Sequence, residues 1–132
     1  MTMKKIFMLA ALVASSASAQ AEWQRIDAPF SDVTLYVSHE SVNKIGNRRV
    51  QVYTLLDYKS LQQVEGREFL SELSRNEYDC NKGEYHAMVH TFHKGQMGVD
   101  KMVHYSEGSW YWIKPEAGSV HDALVTSICS VY

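Results

Sequence analysis

His86, His90 and His93 stand at H-x3-H-x2-H in a chain of 132 residues. Imidazole nitrogens hold zinc or copper when the backbone brings three of them to one point. On a helix these three would share a face. In a strand His86 and His90 share a face about 13 Å apart and His93 points away. No two of them then reach one metal at ~2.1 Å. His104, on a following strand, is the residue that would meet one of them across a hairpin. One reading is therefore a metal or small-ligand carrier using His86, His90 and His104; the other is a set of solvated strand histidines.

Trp110, Tyr111 and Trp112 are three large aromatics in a row. Trp and Tyr supply anchoring area in protein interfaces at low entropic cost. Strand alternation would instead bury two of them and leave Tyr111 outward. Glu77 and Asp79, just before Cys80, are either a carboxylate pair or solvent-facing turn caps. No G-x-S-x-G, H-E-x-x-H or cysteine–histidine nucleophile pattern is present, so the chain reads as a non-enzyme with no cofactor.

The compartment follows from the first 21 residues. Lys4 and Lys5 precede an apolar Ile6–Ala14 segment, and Ala17-Ser18-Ala19 and Ala19-Gln20-Ala21 offer small residues for cleavage. These are the three parts of a secretory signal peptide, cut after Ala19 or Ala21. Nine apolar residues are too few for a bilayer core needing about 20. No cysteine near the cut would take a lipid anchor, so the expected location is the bacterial periplasm, the cell surface or the medium.

The two cysteines, Cys80 and Cys129, both lie beyond the cut. In an oxidising compartment such a pair is read as a disulfide, and C-x-x-C redox spacing is absent. Export removes two of the 13 basic residues and none of the 15 acidic ones, leaving a net charge of −4 with histidine neutral. Such a surface has no bulk attraction for nucleic acid or anionic lipid.

The elements that carry these residues are short and mostly extended. Residues 22–26 and 34–38 read as strands on either side of Asp27-Ala28-Pro29, and 39–45 as a polar stretch closed by Gly46-Asn47. Arg48 to Tyr58 alternates, with Val50, Val52, Thr54 and Leu56 on one face and Arg49, Gln51 and Tyr53 on the other. Residues 61–66 read as a loop, and 69–79 as a strand with a helical turn over 67–74 left open. Strands follow at 84–94, 99–105 and 110–113, separated by turns at Asn81-Lys82-Gly83 and Gly95. Ser119 with Asp122 three residues on resembles a capping box, and Val120, Leu124, Val125 and Ile128 fall at helical spacing. The fold class is α+β: an antiparallel sheet of five or six strands in one domain, 22–132, with a C-terminal helix packed on it and one disulfide.

In order, these features resemble the surface-adhesin protein E family. The resemblance rests on Trp23, on Ser41, Val42 and Gly46, and on Leu55-Leu56-Asp57-Tyr58. Glu77, Asp79 and Cys80 follow, then Trp112, Ile113 and Pro115, then Gly118, Ser119 and Cys129. It covers nearly all of the mature chain and implies a sheet packed by a C-terminal helix with the two cysteines joined. It also implies an outer-surface protein that binds host matrix and plasma proteins such as laminin and vitronectin. The family's namesake is lipid-anchored, and here no anchoring cysteine and no long basic patch is found. The expected partner is a protein, including a second copy of the chain, met by exposed strand positions such as Arg49, Tyr53 and Tyr111 or along an edge strand.

Overall fold

The structure is a computed structural model that describes residues 22–132. The expected signal peptide, residues 1–21, lies outside the described residues. Among the described residues six strands follow one another as a meander in the order β1 to β6, every neighbouring pair antiparallel. They are β1 (Gln24–Ile26), β2 (Val33–Gly46), β3 (Arg49–Val64), β4 (Arg67–Asp79), β5 (Glu84–His93) and β6 (Met102–Glu107). One helix, α1 (Val120–Val131), ends the chain.

The alternation in β3 does what its pattern predicts. Val50, Val52, Thr54 and Leu56 are buried on one face, opposite Tyr78, Asn76, Ser74 and Glu72 of β4. Leu35 and Val37 of β2 join them, and Leu124, Val125 and Ile128 of α1 are buried in the same apolar cluster. Ser119 caps α1 as expected, its hydroxyl accepting from the Asp122 amide at 3.2 Å, while Asp122 accepts from the Gly118 amide. The Cys80–Cys129 disulfide joins the residue after β4 to the last turn of α1.

Three local expectations change, and the helical turn left open over 67–74 is excluded. Residues 39–45 belong to β2, which stays paired through a bulge between Ser38 and Asn43. Ser41 fills that irregularity, donating to the Ser38 carbonyl and accepting from the Tyr53 amide. Residues 61–64 are strand, because β3 and β4 close on a two-residue turn whose Glu65 and Gly66 both have positive φ, as the right-handed strand twist favours. Residues 67–74 are strand and not a helical turn, since β3 and β5 both pair with them. The stretch 110–113 is no strand; only Ile113 bridges back, to Tyr85.

The second face of the sheet is half covered. Leu55 faces away from the main cluster yet is fully buried. The Gln96–Gly98 turn folds back over it, held by Met97 N–H to Asp57 Oδ1 at 2.8 Å and Gly98 N–H to Ser71 Oγ at 2.9 Å. That cover stops short of Arg49, Gln51 and Glu77, which lie towards the other end of the same strands.

One contact of α1 has a pH consequence. His121 stacks on Tyr85 with ring centroids 4.6 Å apart and planes 11° from parallel. Burial lowers its pKa, the Glu72 charge pulls the other way, and His90 adds to the lowering. The unfolded chain takes up that proton near pH 6.5. The stability from the neutral ring is therefore complete above about 6.5 and is lost as pH falls through the depressed folded value. His121→Phe, which keeps a ring on Tyr85, is expected to lose less Tm than the parent between pH 7.5 and 5.5, read by circular dichroism. Parallel Tm curves would exclude the linkage.

Candidate functional site

The open half of the second face becomes a site because of one bulge and one glycine. Arg75 pairs with Val89 while Asn76 pairs with Ala87, so Met88 is an extra residue in β5. The N–H of Gly108 donates to the Met88 carbonyl at 3.0 Å, and Ile113 and Tyr85 exchange hydrogen bonds of 3.0 and 2.8 Å. Between these anchors β5 advances three residues and the opposing chain five. The two extra residues force Ser109 to Trp112 off the sheet edge as an arm. A β-carbon on Gly108 would collide with the Ala87 carbonyl, so only glycine passes there.

The arm leaves its aromatics in solvent. Trp110 is 91% exposed, Tyr111 80% and Trp112 37%. This overturns the expectation that alternation buries both tryptophans. Trp112 lies against the sheet, edge-on to His86 at 4.6 Å, with the Arg49 guanidinium 5.3 Å from its ring centroid.

Beneath them Glu77 organises the floor. Its Oε1 accepts from Arg49 Nη2 at 2.7 Å and its Oε2 lies 3.1 Å from His86 Nε2. Both Glu77 and His86 are about nine-tenths buried, so this carboxylate is matched on each oxygen and the Arg49 charge is locally neutralised. Tyr105 and Glu107 on β6 close the far wall, and the whole forms a cleft of about 610 Å³.

The residues expected to act from sequence fall in different places. Arg49 lines the cleft. Tyr53 lies on the same face two residues on from Gln51, stacked under the Arg75 guanidinium at 5.0 Å. Tyr111 is exposed on the arm but is not among the cleft walls. The three histidines are not brought together. The Met88 bulge shifts the β5 parity, so His86 opposite Glu77 and His90 opposite Ser74 point to opposite faces, against the shared face that regular alternation predicts. His104 is opposite Phe92, on the face of His90. No group of three or more metal-ligating side chains is gathered among the described residues.

Neither carboxylate arrangement makes an acid–base pair. Asp79 Oδ1 caps the following turn, accepting from the Asn81 and Lys82 amides, while Glu77 is engaged as above. On the core face Ser74, His90 and Glu72 lie together, but Ser74 Oγ at 2.9 Å and Glu72 Oε1 at 2.8 Å both address His90 Nδ1. A nucleophile relay needs the hydroxyl and the carboxylate on different ring nitrogens. This trio is a partly buried hydrogen-bond cluster.

Sequence reasoning missed Glu107, Gly108 and Tyr105. The signal was a glycine and a serine immediately before W-Y-W, which reads better as a turn launching an arm than as the start of a strand.

Comparison with known proteins agrees with this architecture. Residues 23–130 match the model of the family described as surface-adhesin protein E. Among solved structures, crystal form II of Haemophilus influenzae protein E superposes with a TM-score of 0.61 at 12% identity, covering 74% of this chain and 81% of that one. The selenomethionine form of the same protein gives 0.58 at 13% identity, covering 86% and 89%. No curated protein sequence matches the chain. Identities this low speak for the shared fold, while the family match covers the Trp23, Cys80, Trp112 and Cys129 landmarks together. The chain belongs to the surface-adhesin protein E family.

Proposed function

We propose that this protein is an exported, non-catalytic bacterial binding protein. Its mature domain, residues 22–132, meets a protein partner through the 109–112 arm and the cleft beside it. On this reading α1 packs on the core face as its cover, which leaves the second face free for contact. The partner is a host matrix or plasma protein, as the family's adhesin name suggests, and the protein works at the cell surface after signal cleavage. A second copy of the chain meeting the β6 edge is the remaining protein partner.

The observation that carries the reading is Trp110. An indole left 91% exposed next to a tyrosine 80% exposed and a tryptophan 37% exposed is the kind of apolar area that marks an interaction surface. Tryptophan and tyrosine are the residues that most often dominate an interface.

The test is surface plasmon resonance of the purified 22–132 domain over immobilised laminin and vitronectin. Trp110→Ala is expected to weaken binding by about 30-fold or more, as an anchor worth ~2 kcal/mol does. Its Tm should move by less than about 2 °C, because the ring touches little of its own fold. Unchanged affinity in Trp110→Ala and Tyr111→Ala would sink the assignment to the arm. Protease resistance of the protein on intact cells would remove the surface role.

A further inference from the structure

The cleft holds two carboxylates against one guanidinium. Arg49 Nη2 pairs with Glu77 at 2.7 Å, which offsets the two charges, and His86 takes the remaining Glu77 oxygen, while Arg49 Nε is buried without a partner. Glu107 is left over. It is exposed and makes no ion pair among the described residues, where the ion pairs are Arg49–Glu77, His86–Glu77 and His90–Glu72. Tyr105, 53% exposed, is two residues before it on the same face of β6, and Trp110 and Trp112 share the cleft with both.

An unpaired carboxylate among exposed π-faces selects one kind of visitor. A cation gains from the aromatic quadrupoles and from the carboxylate together. An anion would meet the Glu107 charge, with the Arg49 charge already offset by Glu77. The chain shows the geometry once within itself, where Arg49 lies 5.3 Å from the Trp112 centroid.

We propose that this cleft captures a basic side chain, arginine above all, from an exposed segment of the partner protein. Glu107 is the counter-charge, and Tyr105 and Trp110 are the stacking surfaces. Arginine is favoured over lysine because its planar guanidinium stacks and forks onto a carboxylate at the same time. The inference rests on the partner-binding reading above and specifies the chemistry that this site recognises.

The experiment is a titration of the 22–132 domain with a Gly-Gly-Arg-Gly-Gly amide peptide, followed through the indole N–H resonances of Trp110 and Trp112 in 15N NMR spectra. The lysine and glutamate versions of the peptide, and spermidine, are run beside it. The arginine peptide is expected to shift both indoles saturably, ahead of lysine, with no response to glutamate. Glu107→Gln and Trp110→Ala should each weaken the arginine peptide at least about fivefold, the size of one exposed charge or cation–π contact. Glu107→Gln leaves the fold intact because its side chain is in solvent, which an unchanged amide spectrum elsewhere would verify. The proposal is overturned by no saturable shift, an equal response to glutamate, or undiminished arginine binding in Glu107→Gln. Spermidine binding more tightly than the arginine peptide also overturns it, by making the ligand a free polyamine. If Trp110→Ala abolishes partner binding while the peptides show no arginine preference, the partner-binding reading stands and this one alone falls.

Discussion

Replacing both cysteines, as Cys80→Ala with Cys129→Ala, is expected to lower Tm by about 15 °C. The bridge closes a loop with a sequence separation of 49. In the chain-entropy model a loop of that length restricts the unfolded ensemble by roughly 4 kcal/mol. A domain of this size loses about 4 °C per kcal/mol. Few polar contacts replace the bridge. Arg48 Nη2 reaches the Cys129 carbonyl only at 3.4 Å, leaving the 2.7 Å bond between His39 Nδ1 and the Tyr132 hydroxyl as the strong polar tie at the end of α1. The measurement is thermal unfolding by circular dichroism of the parent, the double variant and the parent in reductant. The reduced parent and the double variant should melt together. A fall of less than about 4 °C in both would mean that α1 is held by its apolar face alone. The aromatic arm is anchored to β5 and not to α1, so the indole signals of Trp110 and Trp112 should survive the loss of the bridge below the new Tm.

Gly108→Ala is expected to cost about 1–3 kcal/mol and, beyond that, to move the arm. The added methyl meets the Ala87 carbonyl and presses on the Met88 amide nitrogen, both backbone groups that cannot rotate out of the way. Relief requires breaking the Gly108–Met88 hydrogen bond, which is the first anchor of the arm. Trp112 would then lift off Arg49 and His86, and its fluorescence and indole N–H shift should approach those of solvated tryptophan. Ser109→Ala is the control. It removes only the 3.0 Å bond from the Tyr111 amide to Ser109 Oγ and should leave the melt within about 2 °C. A Gly108→Ala spectrum superimposable on the parent would show that the glycine is not what shapes the site.

These two positions differ in how well the chain announces them. The cysteine pair needs only a count and a compartment to be read, and the meander needs only alternation and short turns. Val50, Val52, Thr54 and Leu56 show this, because each answers to its immediate neighbours in sequence and to one buried face. Long strands with bulges are harder. The parity of His86 and His90 depends on Met88, and nothing near Met88 says that β4 will find two residues opposite one. Regular alternation through that point puts the two imidazoles on one face, and the real register puts them on opposite ones.

By itself, then, the sequence determined the antiparallel class, the capped C-terminal helix, the cysteine bridge and the family, because each rests on local periodicity or on landmarks countable along the chain. Only the tertiary structure decided the site. Arg49, Glu77, His86 and Trp112 come from three strands and an arm, and they meet because β3, β4 and β5 lie side by side in one register. The exposure of Trp110 likewise follows from five residues having to span what three span on β5. Such mismatches arise between strands, and no single strand's sequence carries them.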